Sequence, residues 1–140
     1  MPHQMNAAQL QAFLTRDFGQ VADDFRVERV DDQGLTLRLM VAARHLRPGD
    51  TVSGPAMFGL ADVAMYLAIL AQLGPVALAV TTNCSIDFMR KPEAGCDLLA
   101  QARVLKLGRV LAVGDVMLYS EGKPDPVARA SLTYSIPPKR

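Results

Sequence analysis

The stretch Thr51–Leu73, TVSGPAMFGLADVAMYLAILAQL, is an almost unbroken apolar run that holds one charge, Asp62. A carboxylate offers two chemistries: it takes a proton as a general base, or it attacks an electrophile itself. In the middle of a buried helix it is costly unless a neighbour stabilises it or a reaction uses it. Two plainer readings stand beside that one, a solvated notch in the helix and a carboxylate paired to a cation. Thr51 or Ser53 can cap the helix, Pro55 suits a first turn whose N–H has no helical partner, and Gly74-Pro75 ends it. Gly54 then stands at the helix N-terminus, where backbone N–H groups are unpaired and the dipole favours negative charge. Without a Cβ it also lets a ligand approach the backbone. Its N–H is a candidate oxyanion donor; the alternative is a glycine that only makes the turn into the helix.

The elements around this helix follow from hydrophobic period. Leu10, Phe13, Leu14 and Phe18 are near helical spacing and predict a short amphipathic helix over Asn6–Phe18. Phe25–Val30 and Leu35–Val41 read as strands around the turn-rich cluster Asp31-Asp32-Gln33-Gly34. Ala42–Asp50 reads as a loop carrying the turn signal Pro48-Gly49-Asp50. After the long helix the period becomes two, with strands over Val76–Arg90, Asp97–Lys106, Arg109–Ser120 and Val127–Ile136. In the first of these, strict alternation puts Thr81, Asn83 and Asp87 on one face. Short turns between long strands predict an antiparallel meander. A curved antiparallel sheet wrapped around one helix that is apolar nearly all round accounts for the pattern. That is an α+β chain of the hot-dog layout, in a single domain over residues 1–140.

Composition excludes several functions. Fifteen Lys and Arg against fourteen Asp and Glu argue against a broad nucleic-acid-binding face. The only histidines are His3 and His45, and Cys84 and Cys96 form no C-x-x-C pair, so no metal site is expected. Pro55–Val80 is long enough to span a bilayer. Asp62 near its centre, the Gly74-Pro75 break and the alternating strands that follow favour a buried helix, so no membrane partner is expected. The N-terminal MPHQMNAAQL lacks the pattern of a secretory leader, so free thiols and a cytoplasmic location are expected.

From His45 to the C-terminus the chain resembles the small hot-dog acyl-CoA thioesterases of the phenylacetate-pathway (PaaI-like) type. The matching pieces are HLRPGDTVSGPAMFGLADVAM, VTTNCSIDFMRKPEAG, ARVLKLGRVLAVGDVMLYSEGK and VARASLTYSI. Such proteins typically read H-G-G at the helix start, with an acid eight residues after the first Gly. Here Ser53-Gly54-Pro55 occupies that motif and Asp62 stands eight after Gly54. Ser53 and Pro55 depart from the pattern, Arg47 stands where Asn or Gln is usual, and Thr81 falls at a strand Ser or Thr that some members use. The resemblance implies a homodimer, often paired into a tetramer, that hydrolyses an acyl-CoA thioester and needs no separate cofactor.

That chemistry requires an oxyanion to be stabilised and water to be activated or replaced by a protein nucleophile. Gly54 would polarise the carbonyl and Asp62 would act as general base or nucleophile. Eight helical residues separate them by ~12 Å along the axis, so one helix cannot bring both to one carbonyl. Two antiparallel helices from two copies can, which makes the sites shared. Thr81 could orient water or the carboxylate, or merely fill a strand. Ser53 could bond substrate or cap the helix. Tyr66, one turn beyond Asp62, could touch the acyl group or be core, and Asn83 could line the site or the seam. Arg90, Lys91, Lys106 and Arg109 are candidate partners for coenzyme A phosphates, or solvated strand-end charges. Met57, Phe58, Met65, Met89 and Met117 could form a pliable acyl pocket, or be core. A hydratase or dehydratase of the same layout would want a His beside the acid, and none lies in the helix or central strands. A non-catalytic binder of acyl thioesters is the main alternative, given the altered H-G-G motif.

Overall fold

The computed structural model describes residues 3–32, 34–76 and 78–138. Gln33 of the expected turn and Ala77 of the expected strand lie outside the described residues. Helix α1 (Ala7–Asp17) starts at an Asn6 capping box, in which the Asn6 side chain accepts from the Gln9 N–H and the Gln9 side chain accepts from the Asn6 N–H. It buries Leu10, Phe13 and Leu14, the residues whose spacing predicted it. A four-residue helix α2 (Gly19–Ala22), not expected from the sequence, leads into β1 (Phe25–Asp31) and β2 (Gly34–Leu39).

The expected loop 42–50 holds more structure than its turn residues signal. A 3-10 turn (Ala43–His45) precedes a two-residue hairpin, β3 (Leu46–Arg47) with β4 (Thr51–Val52). The hairpin reverses at Gly49 (φ 100°) and Asp50 (φ 62°). Thr51 is therefore a strand residue, and Ser53 alone caps helix α3 (Gly54–Leu73), its Oγ accepting from the Ala56 N–H at 3.2 Å. Gly74, at φ 91°, closes that helix by donating to Leu70 O at 2.8 Å.

Strands β5 (Val80–Phe88), β6 (Leu98–Leu107), β7 (Leu111–Ser120) and β8 (Pro126–Ser135) complete a six-stranded antiparallel sheet in the order β1-β2-β6-β7-β8-β5. The meander is thus β6-β7-β8 only. β5 lies beyond β8 at the sheet edge, because the chain leaves α3 on the far side of the sheet from β2. The strand also begins later than alternation predicts: Val76 and Ala79 donate to Gly74 O and Val76 O in a turn that carries the chain from helix to sheet edge.

Helix α3 packs along β2, β6, β7, β8 and β5, and is buried from Leu60 to Ala71 except at Asp62. Its length and apolarity would allow a membrane span, but here they serve to fill the hollow of the sheet. The helix approaches β7 at Gly114, where an added Cβ would lie 2.5 Å from Arg103 O and closer still to the Met65 methyl. The inward positions Leu35, Leu37, Leu39, Leu98, Ala100, Ala102, Ala128, Ala130, Leu132 and Tyr134 are buried, as the period-two reading requires.

Candidate active site

Asp62 is half-buried at the seam between α3 and the strand pair β5–β8. Its Oδ1 accepts two short hydrogen bonds, from Thr81 Oγ1 at 2.6 Å and from Tyr134 Oη at 2.6 Å. Tyr134 Oη also lies 2.9 Å from the Asp62 carbonyl oxygen. Thr81 and Tyr134 reach one oxygen because they face each other across the β5–β8 ladder. Burial, and next the charge of Asp62, push the Tyr134 hydroxyl well above the ordinary tyrosine range, so it is held as a donor. The same two causes, in the same order, raise the thiol of Cys84, which does not make it a ready nucleophile.

A β-bulge between Thr81 and Asn83 overturns the expected alternation along β5. Thr81 pairs with Tyr134, and then Cys84, Ile86 and Phe88 pair with Leu132, Ala130 and Ala128, all inward residues. Asn83 and Asp87 pair with Thr133 and Arg129 on the outer face, opposite Thr81. One extra residue thus removes Asn83 from the carboxylate's side, and Asp87 is ion-paired to Arg129 at 2.8 Å.

Gly54 sits at the other end of the helix half, beside the ring of Phe88, which would lie 3.5 Å from an added Cβ. In the first turn Ala56 N–H is taken by Ser53 Oγ, Met57 N–H by Ser53 O, and Pro55 has none. Among the described residues the Gly54 N–H has no acceptor. Gly54 opens on a cleft of about 400 Å³ lined by Met57, Phe88, Arg47, Arg90 and Lys91 among others, with no carboxylate in its wall. Arg90 and Lys91 thereby join Gly54, together with Arg47. Arg90 donates to Pro126 O at 2.8 Å, while Arg47 and Lys91 have no ion-pair partner among the described residues.

Other expected site residues lie elsewhere. Lys106 and Arg109 flank the β6–β7 turn, at the end of the sheet where β5 begins, whereas Arg90 and Lys91 follow its end. Within one chain the two cation pairs are not brought together. Tyr66 is buried in an aromatic cluster with Phe13, Phe18 and Tyr134, at centroid distances of 6.1–6.3 Å, and does not line the Gly54 cleft. Ser53 is the helix cap. Of the sulfur residues, Met57 and Met89 reach the cleft and Met65 packs in the core against Gly114. Sequence reasoning missed Tyr134 as a site residue, because it continues the apolar face of β8; its hydroxyl, at one end of that face, was the available signal. Among the described residues no cluster of His, Cys, Asp or Glu could hold a metal.

A six-stranded antiparallel sheet curled round one helix is the hot-dog layout, and it carries a carboxylate held by two hydroxyls and a basic cleft at the helix start. The comparisons agree. The family model described as the thioesterase superfamily matches residues 49–127, and the chain belongs to that family. It is similar to the acyl-coenzyme A thioesterase PaaI of Escherichia coli, with 33% identity over 64% of this chain and 63% of that protein. The alignment thus spans under two thirds of that curated relative. A solved structure from Silicibacter sp. TM1040, assigned provisionally as a thioesterase, is 57% identical, with a TM-score of 0.92 and coverage of 99% of this chain and 96% of that one. The solved structure of E. coli PaaI, from the phenylacetic acid degradation operon, is 25% identical with a TM-score of 0.74, covering 92% and 96%.

Proposed function

We propose that the protein hydrolyses acyl-CoA thioesters at two sites shared between two copies of the chain. Asp62 of one copy acts as general base or nucleophile, and the Gly54 N–H of the other polarises the thioester carbonyl. The observation that carries the reading is the Asp62 carboxylate, only half-buried within the stretch of helix buried from Leu60 to Ala71 and, among the described residues, hydrogen-bonded on one oxygen. In hydrolysis the carbonyl carbon gains oxygen and loses the bond to sulfur, and the departing thiolate of coenzyme A takes up a proton.

The case for two copies rests on direction. α3 and β5 run antiparallel, with Asp62 beside Thr81 and Gly54 beside Phe88. Among the described residues β5 pairs only with β8, so its outer edge is open. Pairing two such edges antiparallel about their midpoint, between Cys84 and Ser85, would set Thr81 of one copy opposite Phe88 of the other. The same two-fold would bring Asp62 of one copy toward Gly54 of the second, spanning the ~12 Å that one helix cannot. It would also cover the exposed Val80, Phe88 and Phe58.

The cleft cations Arg47, Arg90 and Lys91 suit the phosphates of coenzyme A. The two-fold would carry Lys106 and Arg109 of the second copy to that end of the joined sheet, roughly three to four strand spacings, ~15–20 Å, aside. Two unbridged cysteines, Cys84 and Cys96, fit a reducing compartment, the cytoplasm. The test is thiol release from a panel of acyl-CoA compounds, with Asp62→Ala as control. Release by the wild type and not by the variant is expected. Binding without release in both proteins would establish a non-catalytic acyl-thioester-binding protein instead.

A further inference from the structure

Asp62 carries two oxygens, and the chain treats them differently. Both hydroxyl donors, Thr81 Oγ1 and Tyr134 Oη, go to Oδ1 at 2.6 Å. Among the described residues no side chain donates to Oδ2. Tyr134 is only 3% exposed, and its ring is fixed by Tyr66, centroid to centroid 6.2 Å. Thr81 is placed by the bulge that follows it, without which strict alternation would give the succeeding strand residues another face. Two neighbouring strands thus present two hydroxyls in register to one atom.

We propose that Tyr134, with Thr81, is a positioning residue that fixes the Asp62 carboxylate and leaves Oδ2 as its reacting oxygen. This rests on the hydrolytic role of Asp62 proposed above. A carboxylate turns freely about its terminal bond when nothing holds it. Two donors on one oxygen remove that freedom, so the second oxygen keeps one direction toward the substrate. A buried tyrosine needs a partner for its hydroxyl in any case. The Asp62 carbonyl, at 2.9 Å, could serve that need alone, so the shorter bond to the carboxylate is not required for burial.

The experiment compares Tyr134→Phe with wild type and with Ile69→Val, a fully buried core change remote from the carboxylate in role. Tyr134→Phe keeps the ring and deletes one hydroxyl. Its kcat is expected to fall about tenfold or more, because small displacements of a reacting group are costly. KM should stay within about twofold, the mark of an interaction made only in the transition state. Thr81→Val should act in the same direction. Ile69→Val should lower the melting temperature while leaving kcat and KM unchanged. A Tyr134→Phe protein with wild-type kcat overturns the inference, whatever its melting temperature. If Asp62→Asn is itself fully active, the hydrolytic role of Asp62 fails; if Asp62→Asn is inactive while Tyr134→Phe is unaffected, only the positioning role fails.

Discussion

Replacing Asp62 by Asn separates what the carboxylate does for the fold from what it does for chemistry. The amide oxygen of Asn can take the place of Oδ1 and go on accepting from Thr81 and Tyr134, both at 2.6 Å in the wild type. The amide nitrogen then stands where Oδ2 was, and it neither accepts a proton nor attacks a carbonyl. Folding should be nearly unchanged, with a melting temperature within about 2 °C of wild type. Turnover should fall by about 10²–10⁴-fold, the usual worth of a positioned acid or base. Asp62→Ala removes both acceptors as well. A buried hydroxyl left without an acceptor costs about 1–3 kcal/mol. Tyr134 can fall back on the Asp62 carbonyl at 2.9 Å, and half-buried Thr81 can reach water, so the cost belongs at the low end of that range. Asp62→Ala should therefore melt about 3–6 °C below Asp62→Asn, while both are equally inactive. The assay is thiol release under saturating acyl-CoA, alongside thermal melts of the three proteins. Wild-type turnover in Asp62→Asn would refute the chemical role. An Asn variant that melts as low as the Ala variant would refute the hydrogen-bond arrangement.

Three further outcomes follow from single contacts. Gly114→Ala should destabilise by about 1–3 kcal/mol, since its Cβ would meet Met65 and lie 2.5 Å from Arg103 O; a chemical denaturation midpoint equal to wild type would contradict the close approach of α3 to β7. His45 is 8% exposed and its Nδ1 accepts from the Ala42 N–H at 2.9 Å, and burial first, then Arg44, hold its pKa below the ordinary value of 6.5. A lowered folded value means that the unfolded chain protonates first, so the stability His45 contributes is present above about pH 6.5 and is lost as pH falls through that value toward the folded one; thermal melts of His45→Ala should depend less steeply on pH there than wild type. Neutralising Arg47 and Lys91 together as Gln should raise KM for acyl-CoA several-fold with kcat nearly kept, and should flatten the dependence of KM on salt; an unchanged KM would remove the phosphate role.

The sequence made the central helix legible through the features that physics makes local. Ser53, Pro55 and Gly74 mark its ends, and its apolar circumference announces a helix enclosed by sheet. The inward faces of β2, of β6 up to Ala102 and of β8 from Ala128 were equally plain, because each keeps a period of two there. The site was less legible where it depends on a departure from period. The bulge at Thr81–Asn83 adds one residue and reverses every later side chain of β5, and no residue type there signals it. Tyr134 was hidden for the opposite reason: it obeys the period of β8, and the acceptor of its hydroxyl lies 72 residues earlier in the chain. The edge position of β5, beyond β8, is a matter of long-range topology. The basic cleft is as well, since Arg47 and Lys91 meet only once the β3–β4 hairpin and the end of β5 flank the same helix start.

The central claim is that each site draws Asp62 from one copy and Gly54 from another, and mixing subunits tests it most directly. Asp62→Asn and Gly54→Val, the latter with its added side chain in the cleft, should each be inactive as pure proteins. Co-expressed and allowed to assemble at random, they should recover about a quarter of wild-type thiol release, because each mixed dimer holds one site free of both substitutions. Recovery to that level is the result the account predicts. No recovery, from mixed dimers shown by mass to have formed, would mean that the carboxylate and the amide serve the same chain, and would contradict it.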